Sequence, residues 1–180
     1  MMLKSKLFDK ERLDITVNRL CHQLIENHSN FEKSVLIGLQ PRGIYLQNRI
    51  IQTLKNIISV EIPSGFLDTT FYRDDFRTKE IPKAKETFMP HLVDDKNVII
   101  IDDVLFTGRT VRAAMDVIMS FGRPNKIELL VLIDRKFSRH IPIEPTYYGT
   151  KINTITSQKI IVNLIEQGFK EDNIWITNNE

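Results

Sequence analysis

The chain has 180 residues, 42% of them hydrophobic and 27% charged, with a formal net charge of +2. That composition is ordinary for a soluble globular protein and gives enough chain for one domain with a full core, but little for two. No run of about 18 apolar residues could span a bilayer, no apolar stretch near Met1 resembles a signal peptide, and the lone Cys21 excludes an intrachain disulfide or a cysteine-based zinc cage; the expected location is the cytoplasm.

Along the chain, Asp9 to Asn27 predicts a helix. Leu13, Val17, Leu20 and Leu24 share one face, and Asp9 is placed to cap the amino terminus. Ser34 to Leu39 predicts a strand, closed by Gln40-Pro41-Arg42-Gly43, with a second helix from Ile44 to Asn56. Ile57 to Leu67 predicts a further strand interrupted by Pro63 and Gly65. Residues 72 to 90 carry eight charged residues from Arg73 to Lys85 and no apolar period, which suits a functional lid or an unstructured segment.

Val98 to Ile101 is apolar throughout, as a central strand of a parallel sheet requires. It runs into Asp102 and Asp103, then Val104-Leu105-Phe106, then Thr107-Gly108-Arg109-Thr110. A helix from about Thr110 to Phe121 follows, with Val111, Ala114, Met115, Ile118 and Phe121 as its core face, stopped by Gly122 and Pro124. Ile127 to Ile133, Ile160 to Leu164 and Ile174 to Thr177 predict further strands. Strands alternating with helices give an α/β fold with a central, mainly parallel sheet flanked by helices.

In such a sheet, ligands sit beyond the carboxyl ends of the strands. The Thr107 and Thr110 hydroxyls, the amides around Gly108 and the positive end of the next helix suit a phosphate dianion. Asp102 and Asp103 would repel phosphate directly. They can accept hydrogen bonds from sugar hydroxyls or face phosphate across Mg²⁺. An Asp-Asp pair alone also starts loops and caps helices; the order of apolar strand, paired acids, short bridge, T-G-x-T and amphipathic helix is what points to a sugar phosphate. The loop is neither a Walker A sequence nor a dinucleotide GxGxxG. His22, His28, His91 and His140 lack ligand spacing and predict surface or structural roles.

The stretch VIIIDDVLFTGRT resembles the phosphoribosyl pyrophosphate signature of type I phosphoribosyltransferases. Together with GLQPRGIYLQNRI, DTTFYRDD, GRP, LIDR and the IPI to YYGTKINT region, it is similar to the pyrimidine operon attenuation regulators that double as uracil phosphoribosyltransferases. The resemblance implies a phosphoribosyltransferase-type fold with a small hood, from about 135 to 155 plus the C-terminal strands, and a lid at about 72 to 90.

It also implies roles. Val104, Leu105, Phe106, Thr107, Gly108, Arg109 and Thr110 would bind the 5′-phosphate. Asp102 and Asp103 would engage the ribose hydroxyls and, through the substrate, Mg²⁺. Leu39, Gln40, Pro41, Arg42 and Gly43 would meet the pyrophosphate, Arg73 would act from the lid, and Arg135, Lys151 and Ile152 would belong to the uracil hood. The implied reaction converts uracil and phosphoribosyl pyrophosphate into UMP and pyrophosphate. A UMP-responsive regulator that binds pyrimidine leader mRNA is implied beside it, as is a homodimer or higher homo-oligomer. Basic residues available to RNA are Lys4, Lys6, Lys10, Arg12, Arg19 and Arg139. A phosphoribosyltransferase for hypoxanthine, guanine or orotate is the alternative, because it would share the same phosphate cradle.

Overall fold

A computed structural model describes residues 4–70, 86–89, 93–155 and 157–178. The elements, in chain order, are β1 (Lys4–Phe8), α1 (Lys10–His28), β2 (Ser34–Leu39), α2 (Gly43–Ile57), β3 (Ser64–Leu67), β4 (Asn97–Leu105), α3 (Arg109–Phe121), β5 (Lys126–Lys136), β6 (Tyr147–Asn153), β7 (Gln158–Asn163) and β8 (Asn173–Asn178). Five strands form a parallel sheet in the order β3-β2-β4-β5-β6. A separate antiparallel sheet, β1-β8-β7, unites the two ends of the chain.

Side chains alternate across the parallel sheet and define two cores. Leu36, Ile99, Ile101, Leu130 and Leu132 pack with Leu13, Leu20 and Leu24 of α1 and Leu46, Ile50 and Leu54 of α2. On the other face, Ile37, Leu39, Val98, Ile100, Leu129 and Val131 pack with Val111, Ala114, Val117 and Ile118 of α3. Both faces are covered, so β2 is buried over its whole length. That is why it reads as an unbroken apolar run.

Asp9 caps α1 as expected, its carboxylate accepting the Arg12 amide at 2.9 Å. Other features depart from the sequence reading. Strand β4 continues to Leu105, with Asp102 opposite Val131 and Leu105 opposite Asp134, so the two acids are strand residues. The third strand is confined to Ser64–Leu67, because α2 extends to Ile57. Phe121, expected in the core, is 45% exposed, while Ala113 and Val117 are buried. Residues 147–153 form the edge strand of the parallel sheet, and the small antiparallel sheet draws on β1 as well as on β7 and β8.

Moving outward from β2, the chain passes through α2 to β3 on one side, while β4 lies on the other. The strand order therefore reverses between β2 and β4. A crevice opens at such a point beyond the carboxyl ends of the strands, where α/β proteins bind ligands.

Candidate active site

Two loops meet at that crevice. The Leu39–Gly43 loop leaves β2, and Phe106-Thr107-Gly108 leaves β4. Gly43 is what lets the first loop close onto β4: a Cβ there would lie 2.3 Å from the Ile101 carbonyl oxygen and 3.1 Å from Asp102 Cα. The Gln40 amide donates to the Leu67 carbonyl at 2.9 Å, its side chain donates to the Glu86 carbonyl at 2.8 Å, and the Gln40–Pro41 peptide is cis.

The second loop borders a cavity of about 580 Å³ lined by Asp102, residues 104–111 and His140. Gly108 adopts φ 89° immediately before α3, a left-handed turn that costs glycine little. The first helical bond is the Arg112 amide to the Gly108 carbonyl at 2.9 Å, so the amides of the first helical turn have no intrahelical acceptor and surround the cavity with donors. Together with the helix dipole this can hold a phosphate dianion.

Asp102 lines the phosphate cavity, and Asp103 faces the β2 loop through Arg42. Asp103 is buried, and its Oδ2 has no hydrogen-bond partner; the Arg42 guanidinium is 3.9 Å away. Asp102 Oδ1 accepts the Asp103 amide at 2.9 Å. Burial pushes the Asp102 carboxyl well above the usual carboxylate range, and the charge of Asp103 adds to the effect. Burial also raises Asp103, opposed by Arg42. A buried and a half-buried acid side by side, with an orphaned oxygen and, among the described residues, one cation at 3.9 Å, suit the oxygen chemistry of a divalent ion or the hydroxyls of a sugar. Among the described residues no cluster of three or more His, Cys, Asp or Glu forms. The ion's remaining oxygens would therefore come from substrate or water.

The expected base-recognition residues lie side by side at the ends of β5 and β6, with Arg135 opposite Ile152 and Lys151 opposite Asp134, but their side chains meet different surroundings. Arg135 is buried; its guanidinium bonds Thr154 Oγ1 at 2.8 Å and the Gln158 carbonyl at 2.9 Å, and it stacks over the Phe106 ring at 4.0 Å. It joins the phosphate loop to β7. Lys151 remains largely exposed, 4.0 Å from Asp134 and above the Tyr148 ring. Ile152 packs against the core, so only its main chain is available to a ligand. Arg73 and most of the 72–90 segment lie outside the described residues.

Three residues take places the sequence did not suggest. His140 lines the phosphate cavity, and its amide donates to the Thr107 carbonyl at 3.0 Å. It lies more than thirty positions after Asp102, and no local pattern marks it. Arg139, grouped above with residues available to RNA, is turned inward onto backbone carbonyls and Asp134. His28 sits in a buried cluster at the far edge of the sheet. Cys21 is buried on the inner face of α1, and burial pushes its thiol to about 12, which leaves it inert as a nucleophile.

A parallel sheet with a phosphate cradle, paired acids and a facing loop at the switch point defines a protein that handles a phosphorylated sugar. The phosphoribosyl transferase domain family matches residues 4–167. The bifunctional protein PyrR of Oceanobacillus iheyensis is 42% identical, covering 97% of each chain, and that of Enterococcus faecalis is 40% identical, covering 92% of this chain and 93% of its own. The hypoxanthine phosphoribosyltransferase of Trypanosoma cruzi shares the fold, with a TM-score of 0.74 at 15% identity over 98% of this chain and 97% of its own. That of Staphylococcus aureus gives 0.71 at 21% identity over 94% and 90%. The chain belongs to the phosphoribosyl transferase domain family and, within it, to the family of the bifunctional PyrR proteins. No helix among the described residues is long and apolar enough to cross a membrane.

Proposed function

We propose that this enzyme transfers the phosphoribosyl group of phosphoribosyl pyrophosphate to uracil, giving UMP and pyrophosphate. The observation that carries the reading is the meeting of the Asp102–Asp103 pair, the Phe106–Thr110 cradle and the Leu39–Gly43 loop across one crevice. The bond from C1′ to the pyrophosphate oxygen breaks, the bond from C1′ to uracil N1 forms, and the N1 proton leaves. The positive charge that builds on the ribose in the transition state needs anionic neighbours and exclusion of water. Asp102 and Asp103 supply the anions and orient the ribose hydroxyls. The 104–110 loop holds the 5′-phosphate, and Arg42 with the Leu39–Gly43 backbone receives the pyrophosphate. Mg²⁺, when bound, would neutralise the pyrophosphate beside the two acids. The Arg135 turn, Lys151 and the Ile152 main chain frame the base, and Arg73 acts from the lid.

The choice of uracil over a purine follows the PyrR relatives, at about 40% identity, against 15–21% for the hypoxanthine enzymes. Incubation with phosphoribosyl pyrophosphate and each base in turn tests it. UMP alone is the expected product, and a purine nucleotide would refute it.

RNA-binding regulation of pyrimidine genes is the second activity. It is supported by the bifunctional name of the relatives and by a basic strip in which Lys4 and Lys6 lie 4.3 and 5.1 Å from the Trp175 ring centre. The strip is smaller than charge alone suggests, because Arg19 is bonded to the Tyr148 and Gly149 carbonyls and Arg12 to that of Leu7. Binding to pyrimidine leader RNA across a salt series should exceed that to random RNA, and equal affinity at physiological salt would reject it. The assembly expected is a homo-oligomer in the cytoplasm.

A further inference from the structure

One side chain, Arg139, binds the backbone of the phosphate loop from behind. Arg139 Nη1 donates to the Leu105 carbonyl at 3.3 Å and also to the Phe106 carbonyl. Its Nε donates to the Ile143 carbonyl at 3.0 Å, and Nη1 also reaches the Arg135 carbonyl at 3.0 Å. The Asp134 carboxylate grips Nη2. The next carbonyl, that of Thr107, is taken by the amides of His140 and Ile141 at 3.0 and 3.3 Å. Three consecutive carbonyls, 105 to 107, are thus tied to one short segment.

Direction follows from peptide geometry. Across a planar trans peptide, the C=O and N–H point opposite ways. With the carbonyls of Leu105 and Phe106 fixed toward Arg139, and that of Thr107 toward the adjoining His140 and Ile141 amides, the amides of Phe106, Thr107 and Gly108 are fixed the other way. Phe106, Thr107 and Gly108 all border the large cavity. Lysine could not replace this group, since its ammonium is a point charge on a flexible stem, while guanidinium spreads five donors in a rigid plane.

We propose that Arg139, anchored by Asp134, is a positioning residue that sets the amides of the phosphate loop for the 5′-phosphate. The proposal rests on the phosphoribosyl reading above and adds to it a residue that touches no substrate. Coupling has a direction as well: the same guanidinium is tied to the turn that follows β5, so that turn and the phosphate loop share one anchor.

The test uses the full chain as wild type, Arg139→Lys, and Arg139→Gln combined with Asp134→Asn. Lysine keeps a cation beside the buried Asp134. The double variant removes both charges, so neither leaves a lone buried ion. Affinities for UMP, ribose 5-phosphate and pyrophosphate are measured by calorimetry, with thermal melting alongside. Both variants should bind UMP and ribose 5-phosphate on the order of 10- to 100-fold more weakly, the scale of a small misplacement of binding groups, with pyrophosphate affinity unchanged. Equal weakening for all three ligands, or for none, would overturn the clamp. Wild type that binds neither UMP nor ribose 5-phosphate would overturn the phosphoribosyl reading, and the clamp with it.

Discussion

The two edges of the parallel sheet each bury a carboxylate, and they differ in how closely they surround it with partners. At the amino-terminal edge, Glu128 receives Lys126 Nζ at 2.6 Å and the Tyr147 hydroxyl at 3.4 Å, while His28 Nε2 lies 3.0 Å from its other oxygen. His28 Nδ1 meets Ser34 Oγ at 2.9 Å, completing a network that joins α1, β2, β5 and β6. The buried acid at the carboxyl-terminal edge is Asp103. One oxygen of each acid lacks a hydrogen bond, but Glu128 has Lys126 at 2.6 Å and His28 at 3.0 Å, whereas the ion-pair partner of Asp103 among the described residues, Arg42, is 3.9 Å away. A fold can crowd a buried acid with close partners when stability is the requirement. Leaving one without them costs free energy and keeps it ready for a ligand.

Breaking each edge should therefore give different results. Replacing Asp102 and Asp103 together by Asn should lower the rate of UMP formation by roughly 100-fold or more, the scale of a lost electrostatic contact in a transition state, in a steady-state assay. Glu128→Ala should do the reverse. Leaving Lys126 and His28 without their anion should cost about 3 kcal/mol or more of unfolding free energy, read by denaturant titration, while the KM values stay near those of wild type.

Smaller effects sharpen the contrast. Gly43→Ala forces the loop off the Ile101 carbonyl and should cost about 1–3 kcal/mol, with a raised KM for phosphoribosyl pyrophosphate. Phe121→Ser, at an exposed helix end, should change stability by no more than about 0.5 kcal/mol; a larger loss would mean that the helix end is covered in solution.

The pH dependence also separates the edges. Burial raises both aspartates, so the folded state binds more protons than the unfolded state above the ordinary carboxylate value of 3.8. Their contribution to stability falls as pH rises through that window. Burial lowers His28 from 6.5, against the pull of Glu128, so the unfolded state binds the extra proton and stability falls as pH drops below 6.5. Melting curves across pH for the Asp pair variant and for His28→Gln should each lose one of these slopes.

Much of this was legible before the fold was known. The buried strand β2 could be bounded at its carboxyl end because its apolar run is closed by Pro41 and Gly43, and the phosphate loop stood out by the order of its residue types. The acids were harder to place. An apolar run ending in Asp-Asp looks like the end of a strand, yet β5 carries the ladder on past Asp102 to Leu105. Phe121 fitted the helix period, but the helix ends there at the surface, and a period does not reveal where the sheet stops beneath it. Strands β1 and β6 are short or polar and owe their pairing to distant partners. The inward turn of Arg139 is likewise tertiary, because a basic residue in a turn carries no sign of which carbonyls will surround it.

The central claim is that the carboxyl-terminal edge gives up stability to keep its acids available. Denaturant unfolding of wild type and of the Asp102→Asn, Asp103→Asn variant at pH 8, without ligand, measures this most directly. The variant is expected to be the more stable of the two, since neutral amides replace buried charge. A variant less stable than wild type would contradict the account, because it would mean that the two acids hold the fold together as Glu128 does.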